Sequence, residues 1–447
     1  MEKLQNNLNL FQAKMQQENL DPLVIKNFSE SYLKWLHGDQ GKIPWSDIQL
    51  PPTFPKYQNL TTQHQKIGTK NLEKLVYLKL NGGLGTSIGC QGPKSALKVF
   101  ENFSFLDLIA KQIKSLKTNI HVIFMNSFNT DQETHKILKD KLKYTSFLQN
   151  KYPKINLQTN TPLETSPQHL EWAPPGHGDV FFALFQTGII DQLSQQGYEY
   201  IFLSNVDNLG ATVDPKILGY MVSQNLDFIM ETTPKTLADI KGGTLITRKS
   251  TQKLELLESI QVENEHLADF QDIQTFKIFN TNNIWVKISA LKEIYHKQKL
   301  SLSLMVNPKT VNQTPIIQLE TAMGSAIKCF SNTSSIIVPR TRFFPVKNTT
   351  DLLLIRSDFL QKNQNGTFQI NPQRKKGNSI PKITLSDNFK NILDFEKHFP
   401  HIPSLVNCES LTLEGDIYIG KNVTFEGNVT IKTKEKNYWL QNQTFKN

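Results

Sequence analysis

Between residues 75 and about 350, short apolar runs alternate with amphipathic stretches, and this alternation limits the possible folds more than any other feature of the chain. Each run is long enough for a buried strand and ends in a polar loop, while the stretches between the runs have helical spacing. This order is typical of parallel strands joined by crossover helices, so the sequence predicts an α/β domain with its ligand site beyond the carboxyl ends of the strands. The predicted strands are 75–80, 121–125 and 200–203, and the clearest amphipathic segments are 104–117 and 130–143.

The flanking regions differ from this pattern and predict a division into three parts, at 1–70, 71–350 and 351–447. The first part has apolar residues at helical spacing and then a proline-rich connector, which predicts a helical packing segment without chemistry of its own.

In the last part, an aliphatic residue recurs at every sixth position across four repeats. A six-residue period is typical of a parallel β-helix in which each repeat forms one flat side of a coil, and it indicates a packing or assembly module. A plain β-meander is the alternative, because four repeats are few. The repeat positions are Leu411, Ile417, Val423 and Val429.

The composition indicates a folded cytosolic protein. With 38 % apolar and 10 % aromatic residues, the chain is too apolar to be disordered, and no apolar run approaches the ~20 residues that span a bilayer. The first residues lack the apolar core of a secretory signal. Cys90, Cys329 and Cys408 are too scattered for a disulfide framework or a zinc site, so a reducing cytosol is predicted.

The net charge of +10 has two interpretations, a solvated lysine-rich surface or an affinity for phosphates. Basic residues are spread along the whole chain, and the one compact cluster is Arg374-Lys375-Lys376. This spread argues against a nucleic-acid-binding arm and leaves anionic small substrates open.

The loop with most glycines follows the first predicted strand and runs from Leu80 to Lys94. Its glycines let the backbone approach a ligand closely, and their amides can face phosphate oxygens. The loop is not a P-loop, because Pro93 separates Gly92 from Lys94, and its glycine spacing also differs from the dinucleotide fingerprint. An ordinary glycine-rich turn is the alternative.

Two further loops present single side chains that suit phosphate chemistry. His177 lies between Gly176 and Gly178 in a loop stiffened by two prolines, which is more typical of a ligand-binding group than of a structural histidine. Asp207 comes just past the third predicted strand, where a carboxylate is a natural Mg²⁺ ligand, although capping of the next helix explains it equally well.

Three later segments supply donors and acceptors. Lys241 stands beside two glycines, and three amide side chains crowd into 280–283, where they suit sugar hydroxyls. A stiff turn at 339–347 carries two arginines and Lys347, and a surface basic cluster is the alternative there. Lysines, glycine loops, one presented aspartate and many amides together suit phosphoryl-group transfer, because positioning and charge neutralisation supply most of that catalysis.

At these residues the sequence closely resembles the eukaryotic-type UTP–glucose-1-phosphate uridylyltransferases, also called UDP-glucose pyrophosphorylases. Eight separated blocks match the family almost letter for letter and in family order, from about residue 75 to 355, and the six-residue repeats extend the match to about 430. The blocks are LKLNGGLGTSIGCQGPKS, MNSFNTD, WAPPGHGD, FLSNVDNLGATVD, KGGTLI, FKIFNTNNIW, QLETAMGSAIKCF and RFFPVKNTTDLLL.

The resemblance implies a Rossmann-like, glycosyltransferase-A-like mixed sheet flanked by helices, with a small left-handed parallel β-helix at the C-terminus. It implies that a phosphate oxygen of glucose 1-phosphate attacks the α-phosphorus of UTP in line, which reversibly gives UDP-glucose and pyrophosphate with Mg²⁺ as cofactor. Both reactants are polyanions, so Lys94, Lys347 and the cation are expected to reduce their mutual repulsion.

The resemblance also implies roles for individual residues. Lys94 and Lys347 are the implied catalytic residues, and Asp207 is the implied Mg²⁺ ligand. The implied nucleotide-binding residues are Leu80, Asn81, Gly82, Gly83, Gln149, Gly176 and Asn205. The implied sugar-phosphate-binding residues are His177, Asp207, Lys241, Asn280, Asn282 and Glu320.

The chain departs from the family pattern in two places. Between the Gln149 loop and Pro174 it is a few residues shorter than the animal-type pattern, and the six-residue repeats lack the usual closing segment, which leaves a homo-oligomer through the C-terminal part open. One alternative is a UDP-N-acetylhexosamine or broad UDP-sugar pyrophosphorylase, whose first-loop residues differ. Another is a catalytically silent nucleotide-binding scaffold, which should have lost Lys94, Asp207 or Lys347. No nucleic-acid or membrane partner is expected.

Overall fold

A computed structural model of the chain describes residues 2–90, 92–116, 118–236, 239–375, 377 and 379–446. Three residues of the segments discussed above lie outside these ranges: Gln91 of the glycine loop, Lys117 of a predicted helical segment and Lys376 of the basic cluster. Within the described ranges, no helix combines the length and the apolar character needed to cross a membrane.

The centre of the molecule is a mixed sheet with the strands Leu75–Asn81 (β1), His121–Asn126 (β2), Thr145–Leu148 (β3), Tyr200–Asn205 (β4), Phe228–Pro234 (β5), Ile278–Lys287 (β6) and Thr333–Ile337 (β7). Their order across the sheet is β7-β5-β6-β4-β1-β2-β3. Strand β6 runs antiparallel to both of its neighbours, and the other neighbouring pairs are parallel. The predicted α/β class is confirmed, and β1, β2 and β4 each extend one or two residues beyond their predicted ends.

The α-helices are Glu2–Gln17 (α1), Pro22–Leu36 (α2), Thr62–Asn71 (α3), Phe105–Lys114 (α4), Asp131–Leu138 (α5), Asp179–Gln186 (α6), Ile189–Gln195 (α7), Pro215–Ser223 (α8), Leu267–Gln271 (α9), Ile288–His296 (α10), Thr349–Arg356 (α11) and Ile392–His398 (α12). Side chains alternate between the two faces of the sheet. On β1, Leu78 packs with α6, α7 and α10, whereas Tyr77 packs on the opposite face with α4 and α8.

Two helices are shorter than the amphipathic segments that predicted them. Helix α4 starts after Ser104, whose hydroxyl accepts from the Asp107 amide while the Asp107 carboxylate accepts from the Ser104 amide. This capping box sets the first turn of the helix. Helix α5 ends at Leu138, where the amide of Lys141 donates to the Leu138 carbonyl and turns the chain.

The N-terminal helices pack against a second, smaller sheet. Phe11 of α1 with Phe28 and Tyr32 of α2 forms a buried cluster with residues of the long strands of that sheet. Its strands, in order, are Leu304–Val311, Thr314–Thr321, Ile155–Asn156 and Thr161–Pro162. The first part of the chain therefore shares a core with the middle part.

Several short strands before residue 380 lie outside these two sheets. Three of them form an antiparallel sheet, Ile48–Gln49, Thr244–Arg248 and Leu254–Leu257. The remaining pairs are Tyr152–Pro153 with Trp172–Ala173, Lys98–Phe100 with Phe103–Ser104, and Leu360–Lys362 with Phe368–Ile370.

Beyond residue 380 the chain forms parallel strand pairs. The strands Lys382–Leu385, Cys408–Glu414, Val423–Lys432 and Gln443–Lys446 lie side by side in that order, and Ile417–Ile419 pairs with Tyr438–Leu440. The four repeat positions predicted from the sequence are all buried. The aliphatic residue of each repeat therefore points into one common interior.

The predicted boundary at residue 350 falls inside α11. Leu353 of α11 and Phe105 and Leu108 of α4 lie in the same buried cluster as the C-terminal strands. The C-terminal part therefore shares its core with the central part, and the division into three parts stays a prediction.

Candidate active site

The loops that follow β1, β3 and β4 meet the end of β2 at one edge of the sheet and border a cavity of about 290 Å³. The parallel register places Leu80, Met125 and Asn205 side by side near the strand ends, so the loops after them share one opening. The cavity brings together many of the residues predicted from the sequence: Leu80, Gly82, Gly83, Lys94, Gln149, Gly176, His177, Asn205 and Asp207.

The glycine loop folds back on itself as a narrow hairpin. The Gly85 amide donates to the Gly92 carbonyl (3.4 Å), and the Lys94 amide donates to the Gly83 carbonyl (3.2 Å). These bonds return the chain to the start of the loop. Lys94 therefore stands beside Gly83 at the cavity.

Gln149 lies directly on Gly82. The Gln149 amide donates to the Asn126 carbonyl (2.8 Å), which fixes the loop after β3 to the end of β2. A Cβ on residue 82 would lie 2.5 Å from the Gln149 Oε1 atom, so a larger residue at this position would displace the Gln149 carboxamide. The Gln149 carboxamide is thereby held at the wall of the cavity.

Asn81 supports the cavity from behind and is not one of its lining residues. Its buried side chain donates to the Asn126 Oδ1 (2.8 Å) and to the Thr134 Oγ1 (2.7 Å). These bonds tie β1 to β2 and α5. A nucleotide contact at this position would therefore come from the backbone of Asn81.

A hydrogen bond and burial together keep the His177 ring neutral and in one tautomer. The Met323 amide donates to the His177 Nδ1 (3.1 Å), so the neutral ring carries its proton on Nε2. The loop around it is fixed by two backbone bonds to Thr321, from the Gly178 amide to the Thr321 carbonyl and from the Thr321 amide to the Pro175 carbonyl (both 2.9 Å). Burial lowers the pKa of His177 to about 4, so the ring is uncharged at neutral pH.

Asp207 and Lys94 form an ion pair at the cavity. The Asp207 carboxylate accepts from the Lys94 ammonium, and the two side chains are only 15 % and 14 % exposed. Water screens such a pair less than a surface pair. The pair joins the glycine loop to the loop after β4.

A single carboxylate at the cavity fits a cation that arrives with its own oxygen ligands. Mg²⁺ usually binds one or two carboxylates together with substrate phosphates and waters. Among the described residues, the group of three acidic or histidine side chains close enough to share an ion lies elsewhere, in the turn before α9: Glu263, Glu265 and His266. Asp207 therefore fits Mg²⁺ bound to a polyphosphate, provided that Lys94 leaves the carboxylate.

The Asp351 carboxyl group interacts with both Lys347 and Lys94. The Lys347 amide donates to the Asp351 Oδ2 (2.7 Å) at the start of α11. Burial raises the pKa of Asp351, and the charges of Lys347 and Lys94 both oppose this rise. One carboxyl group that interacts with both lysines places them in the same neighbourhood. Lys347 itself lines a second cavity of about 290 Å³, between the turn at 339–347 and residues 380–383.

The amides predicted for the sugar lie at the start of β6. This strand pairs Ile284 with Leu203 of β4, so the residues before Ile284 continue alongside the end of β4 and Asn205. The Asn280 Nδ2 donates to the Asn282 Oδ1 (2.7 Å), and the Asn280 Oδ1 accepts from the Asn282 amide (2.9 Å). The Asn280 side chain is therefore bonded to both the side chain and the backbone of Asn282, beside the end of β4.

Lys241 and Glu320 lie outside the lining of the first cavity. Lys241 is exposed. The Glu320 carboxylate accepts from the Asn307 Nδ2 (3.4 Å) and lies 3.8 Å from the Lys309 Nζ, both on the neighbouring strand. The sugar contacts of Lys241 and Glu320 thus stay predictions.

Two acidic residues at the site were not singled out from the sequence. The Glu258 carboxylate packs against Gly243, and burial raises its pKa against the opposing charge of Lys347. Asp179 accepts from the amide (2.7 Å) and the side chain (2.8 Å) of Asn150, and burial raises its pKa to about 6. Asp179 closes the WAPPGHGD block and could have been found there, whereas no pattern marks Glu258.

Lys79 is a third residue that was not singled out, and it lies fully buried in β1. Its ammonium donates to the carbonyls of Asn205 and Ala211, both at 3.4 Å. Desolvation lowers the pKa of Lys79 to about 7, with the charge of Asp207 opposing. The ammonium thus holds both ends of the loop that carries Asp207. A lysine inside an apolar run is the signal that could have found it.

Comparisons with known proteins agree with this geometry. Residues 25–426 match the family model described as UTP–glucose-1-phosphate uridylyltransferase. A Hordeum vulgare protein of that name is 44 % identical over 415 residues, which cover 90 % of this chain and 87 % of the relative. A Schizosaccharomyces pombe protein, named a probable UTP–glucose-1-phosphate uridylyltransferase, is 42 % identical over 441 residues, 93 % of this chain and 86 % of the relative.

Solved structures give the same result for the fold. A UDP-glucose phosphorylase from Trypanosoma brucei matches with a TM-score of 0.90 and 36 % identity over 99 % of both chains. A UDP-glucose pyrophosphorylase variant from Leishmania major, in complex with UDP-glucose, matches with a TM-score of 0.89 and 33 % identity over 99 % of both chains. Because sequence and fold agree over nearly the whole length, this chain belongs to the UTP–glucose-1-phosphate uridylyltransferase family.

Proposed function

We propose that the chain transfers the uridylyl group of UTP to glucose 1-phosphate, with UDP-glucose and pyrophosphate as products. The observation that supports this most directly is the ion pair of Lys94 and Asp207 at a cavity lined by glycine backbone, with Lys347 in a second cavity and the Asp351 carboxyl group interacting with both lysines. The names of the relatives contain the same nucleotide and sugar phosphate, and one structural neighbour holds UDP-glucose. A silent scaffold would need none of the three charged side chains.

The nucleotide binds along the glycine loop in this proposal. The Gln149 carboxamide and the backbone at Leu80, Gly82 and Gly176 border the cavity and supply donors and acceptors for the edge of uracil. The triphosphate then extends toward Lys94. The hairpin of the loop keeps this lysine next to the backbone that holds the base.

The reaction is an in-line displacement at the α-phosphorus of UTP. A phosphate oxygen of glucose 1-phosphate forms the new bond to this phosphorus, the bond from the α-phosphorus to the oxygen that bridges to the β-phosphorus breaks, and pyrophosphate leaves. The attacking oxygen is already ionised, so no general base is needed. The protein holds two polyanions in line and neutralises them, with Lys347 at the sugar phosphate and the α-phosphate and Lys94 at the departing pyrophosphate.

We extend the proposal to Mg²⁺ as the cofactor. When bound, Mg²⁺ supplies positive charge to the polyphosphate, and Asp207 is the residue that would hold it. His177 donates a hydrogen bond from Nε2 to a phosphate oxygen. Because its ring is uncharged, it orients the phosphate without competing with the lysines for it.

The glucose side of the site is proposed at the start of β6. Asn280 and Asn282 lie beside the end of β4. Their side chains can exchange the hydrogen bonds that join these two residues for bonds to sugar hydroxyls. The half-buried Glu258 adds an acceptor next to Gly243. Lys241 and Glu320 complete the proposed pocket from outside the first cavity.

We also infer finer features of the fold and its setting. The central sheet is proposed to be Rossmann-like, of the glycosyltransferase-A type. The region of six-residue repeats is proposed to be a left-handed parallel β-helix that can serve as a homo-oligomer contact, and the pairing of Leu411 with Val429, three repeats later, supports a coil. We place the protein in the cytosol without nucleic-acid or membrane partners. Its cysteines, which are all free, support a reducing compartment.

Pyrophosphate release from UTP, Mg²⁺ and a panel of sugar 1-phosphates tests the proposal. We expect release with glucose 1-phosphate, its loss on chelation with EDTA, and a fall in kcat on the order of 10²-fold or more in Lys347→Ala. Lys26→Ala is the matched control, because it removes the same charge from a 62 % exposed side chain on α2. Release with another sugar alone would overturn the specificity, and no release from folded protein with any sugar would overturn the activity.

A further inference from the structure

We propose that Asn208 is a positioning residue that sets the distance between the loop of Asp207 and the turn of Lys347. The inference rests on the proposed function of these two residues and concerns how the chain holds them together. Asn208 follows Asp207 directly, is 1 % exposed and does not line the cavity. It therefore acts on the reaction through its neighbours.

The Asn208 carboxamide uses its full set of hydrogen bonds. Its Oδ1 accepts from the Phe344 amide (2.9 Å) and from the Gly210 amide (3.1 Å). Its Nδ2 donates to the Arg342 carbonyl (3.1 Å) and to the Asn283 Oδ1 (3.2 Å). A buried amide with two acceptor and two donor bonds has one allowed orientation, because flipping it would break all four.

These bonds join the two segments that carry the charged residues. Arg342 and Phe344 flank Phe343 in the turn, so the carboxamide holds the turn at two points. The backbone of Asn208 also forms an isolated antiparallel bridge with Pro345. The residue after Asp207 is thus paired with the residue two positions before Lys347, and a shift of either segment moves the other.

The turn has a second anchor in the central sheet, through Arg342. The buried Arg342 guanidinium donates from Nε and from Nη2 to the two carboxylate oxygens of Glu231 on β5 (both 2.7 Å). Glu231 also accepts from the Trp285 Nε1 (2.9 Å) and from the Asn283 Nδ2 (3.0 Å) on β6. This network fixes the turn relative to β5 and β6. The network reaches the loop after β4 at two points, the Asn208 carboxamide beside Asp207 and the Thr212 carbonyl, which accepts from the Arg342 Nη2 (3.0 Å).

A fixed spacing matters because both residues act on one chain of phosphates. Misplacing a catalytic group by about 1 Å can cost about 10²-fold in rate. Loss of the Asn208 side chain removes the side-chain hydrogen bonds that join the two segments next to Asp207. The bond from the Arg342 Nη2 to the Thr212 carbonyl (3.0 Å) remains, but it lies five residues beyond Asp207 and leaves the near end of the loop free to shift.

The test compares kcat with nucleotide affinity in Asn208→Ala. We expect kcat to fall about 10²-fold. The dissociation constant of UTP, measured by calorimetry, should change by less than about threefold, because Asn208 makes no hydrogen bond to the cavity residues Gly82, Gln149 or Gly176. A change in stability alone would not separate the two quantities.

Gln112→Ala is the matched control. Gln112 is also a buried amide, 6 % exposed, and it donates to the carbonyls of Leu209 (3.2 Å) and Gly366 (2.9 Å). It therefore holds the residue next to Asn208 but makes no hydrogen bond to the turn. We expect Gln112→Ala to lower Tm as Asn208→Ala does and to keep kcat within about threefold of wild type.

Asn208→Asp keeps the inference testable if the alanine variant does not fold. An aspartate keeps the acceptor for the Phe344 and Gly210 amides and loses the donor to the Arg342 carbonyl and the Asn283 Oδ1. At a fixed pH, kcat of Asn208→Asp should therefore fall while the dissociation constant of UTP changes by less than about threefold. Wild-type kcat in Asn208→Asp would contradict the positioning role.

The remaining outcomes separate this inference from the proposed function. Wild-type kcat in Asn208→Ala, or an equal loss of kcat in Gln112→Ala, would overturn the role of Asn208. Lys347→Ala is measured in the same assay. Full activity of Lys347→Ala would overturn the proposed function itself, whereas an inactive Lys347→Ala beside an active Asn208→Ala overturns the positioning inference alone.

Discussion

Burial controls the charge of single residues around the cavity. His177 is half-buried at the cavity wall and Lys79 is fully buried, and desolvation lowers the pKa of each, to about 4 and to about 7. Loss of solvation disfavours the charged form of any base. The cavity wall therefore contains an uncharged hydrogen-bond donor, His177, and the sheet beneath it contains a lysine, Lys79, whose charged form is destabilised by burial. Each residue predicts its own pH dependence of the free energy of unfolding.

His177 should make the protein less stable in mild acid. Its pKa is about 4 in the folded chain against 6.5 for the free side chain, so the unfolded chain binds more protons between these values. The free energy of unfolding should fall as pH decreases from 6.5 to 4, by at most about 3 kcal/mol. Urea unfolding of wild type and His177→Gln at several pH values isolates this contribution. A difference between the two proteins that does not change with pH would contradict it.

Lys79 should change stability in the same direction as His177 but at higher pH, because its buried charge destabilises the folded chain at neutral pH. Its pKa is about 7 in the folded chain against 10.5 for the free side chain, so the free energy of unfolding should rise with pH between these values. We expect Lys79→Met to be more stable than wild type at pH 7, by on the order of 3 kcal/mol, and the gap to narrow toward pH 10. Thermal unfolding of both proteins at both pH values measures this difference in stability. A Lys79→Met variant less stable than wild type at pH 7 would show that the hydrogen bonds of Lys79 to the Asn205 and Ala211 carbonyls stabilise the protein by more than the desolvation of its charge costs.

The individual site residues were predictable where backbone chemistry marks them. Glycines around Lys94 and His177, and the strand end before Asp207, pointed to the cavity without any structure. The ion pair of Lys94 with Asp207 was not predictable, because it depends on how far the hairpin returns the lysine. Glu258 follows a strand outside the central sheet, Leu254–Leu257, and its place near Lys347 is purely a matter of tertiary packing.

At the scale of elements, the strand that runs backwards is the feature that local patterns did not predict. The sequence predicts the amides at 280–283 as a source of polar donors, and in the structure they lie within β6, a central strand of the sheet. Its buried amide Asn283 is paired with Glu231 and so avoids the cost of an unsatisfied polar group. Strand direction depends on partners distant in sequence, so apolar periodicity could predict β1, β2 and β4 but not the mixed order.

The crossing of α3 and α8 predicts a second effect at this scale. The helices approach through Gly68 and Gly219, and a Cβ on residue 219 would lie 1.8 Å from the His64 carbonyl oxygen. We expect Gly219→Ala to lower the free energy of unfolding by about 2 kcal/mol or more, because overpacking outweighs the better helix propensity of alanine. Urea unfolding measures this loss.

Lys70→Ala serves as the control for the helix crossing, because Lys70 is exposed on α3. Its free energy of unfolding should stay within about 0.5 kcal/mol of wild type. A Gly219→Ala variant as stable as Lys70→Ala would mean that the helices can move apart without cost.

At the scale of the whole molecule, the C-terminal region and the central domain share one buried cluster. Leu353 of α11, Phe395 of α12 and Phe105 of α4 belong to it together. The glycine loop also touches this region, because a Cβ on Gly89 would lie 2.8 Å from the Asn391 Cβ. The sequence predicted the six-residue repeats and their buried positions, but a boundary drawn from pattern alone could not show that both sides bury the same surface.

The shared cluster predicts that the molecule unfolds as one unit. Trp439 stacks on Tyr418 in the C-terminal region, with ring centroids 5.1 Å apart, and reports on that region. Its fluorescence, taken as the difference between wild type and Trp439→Phe, should change at the same urea concentration as the far-ultraviolet circular dichroism of the whole chain. Two separate midpoints would show that the C-terminal region folds independently.

The ion pair between Lys94 and Asp207 gives each of these two charged side chains a partner of opposite charge. A lone anion that takes Lys94 leaves Asp207 uncompensated, and a lone cation that takes Asp207 strands Lys94 in the same way. A ligand that carries both signs of charge, such as a metal-bound triphosphate, replaces both partners in one exchange. The ion pair of Lys94 and Asp207 therefore favours binding of the complete nucleotide–cation complex over binding of either component alone.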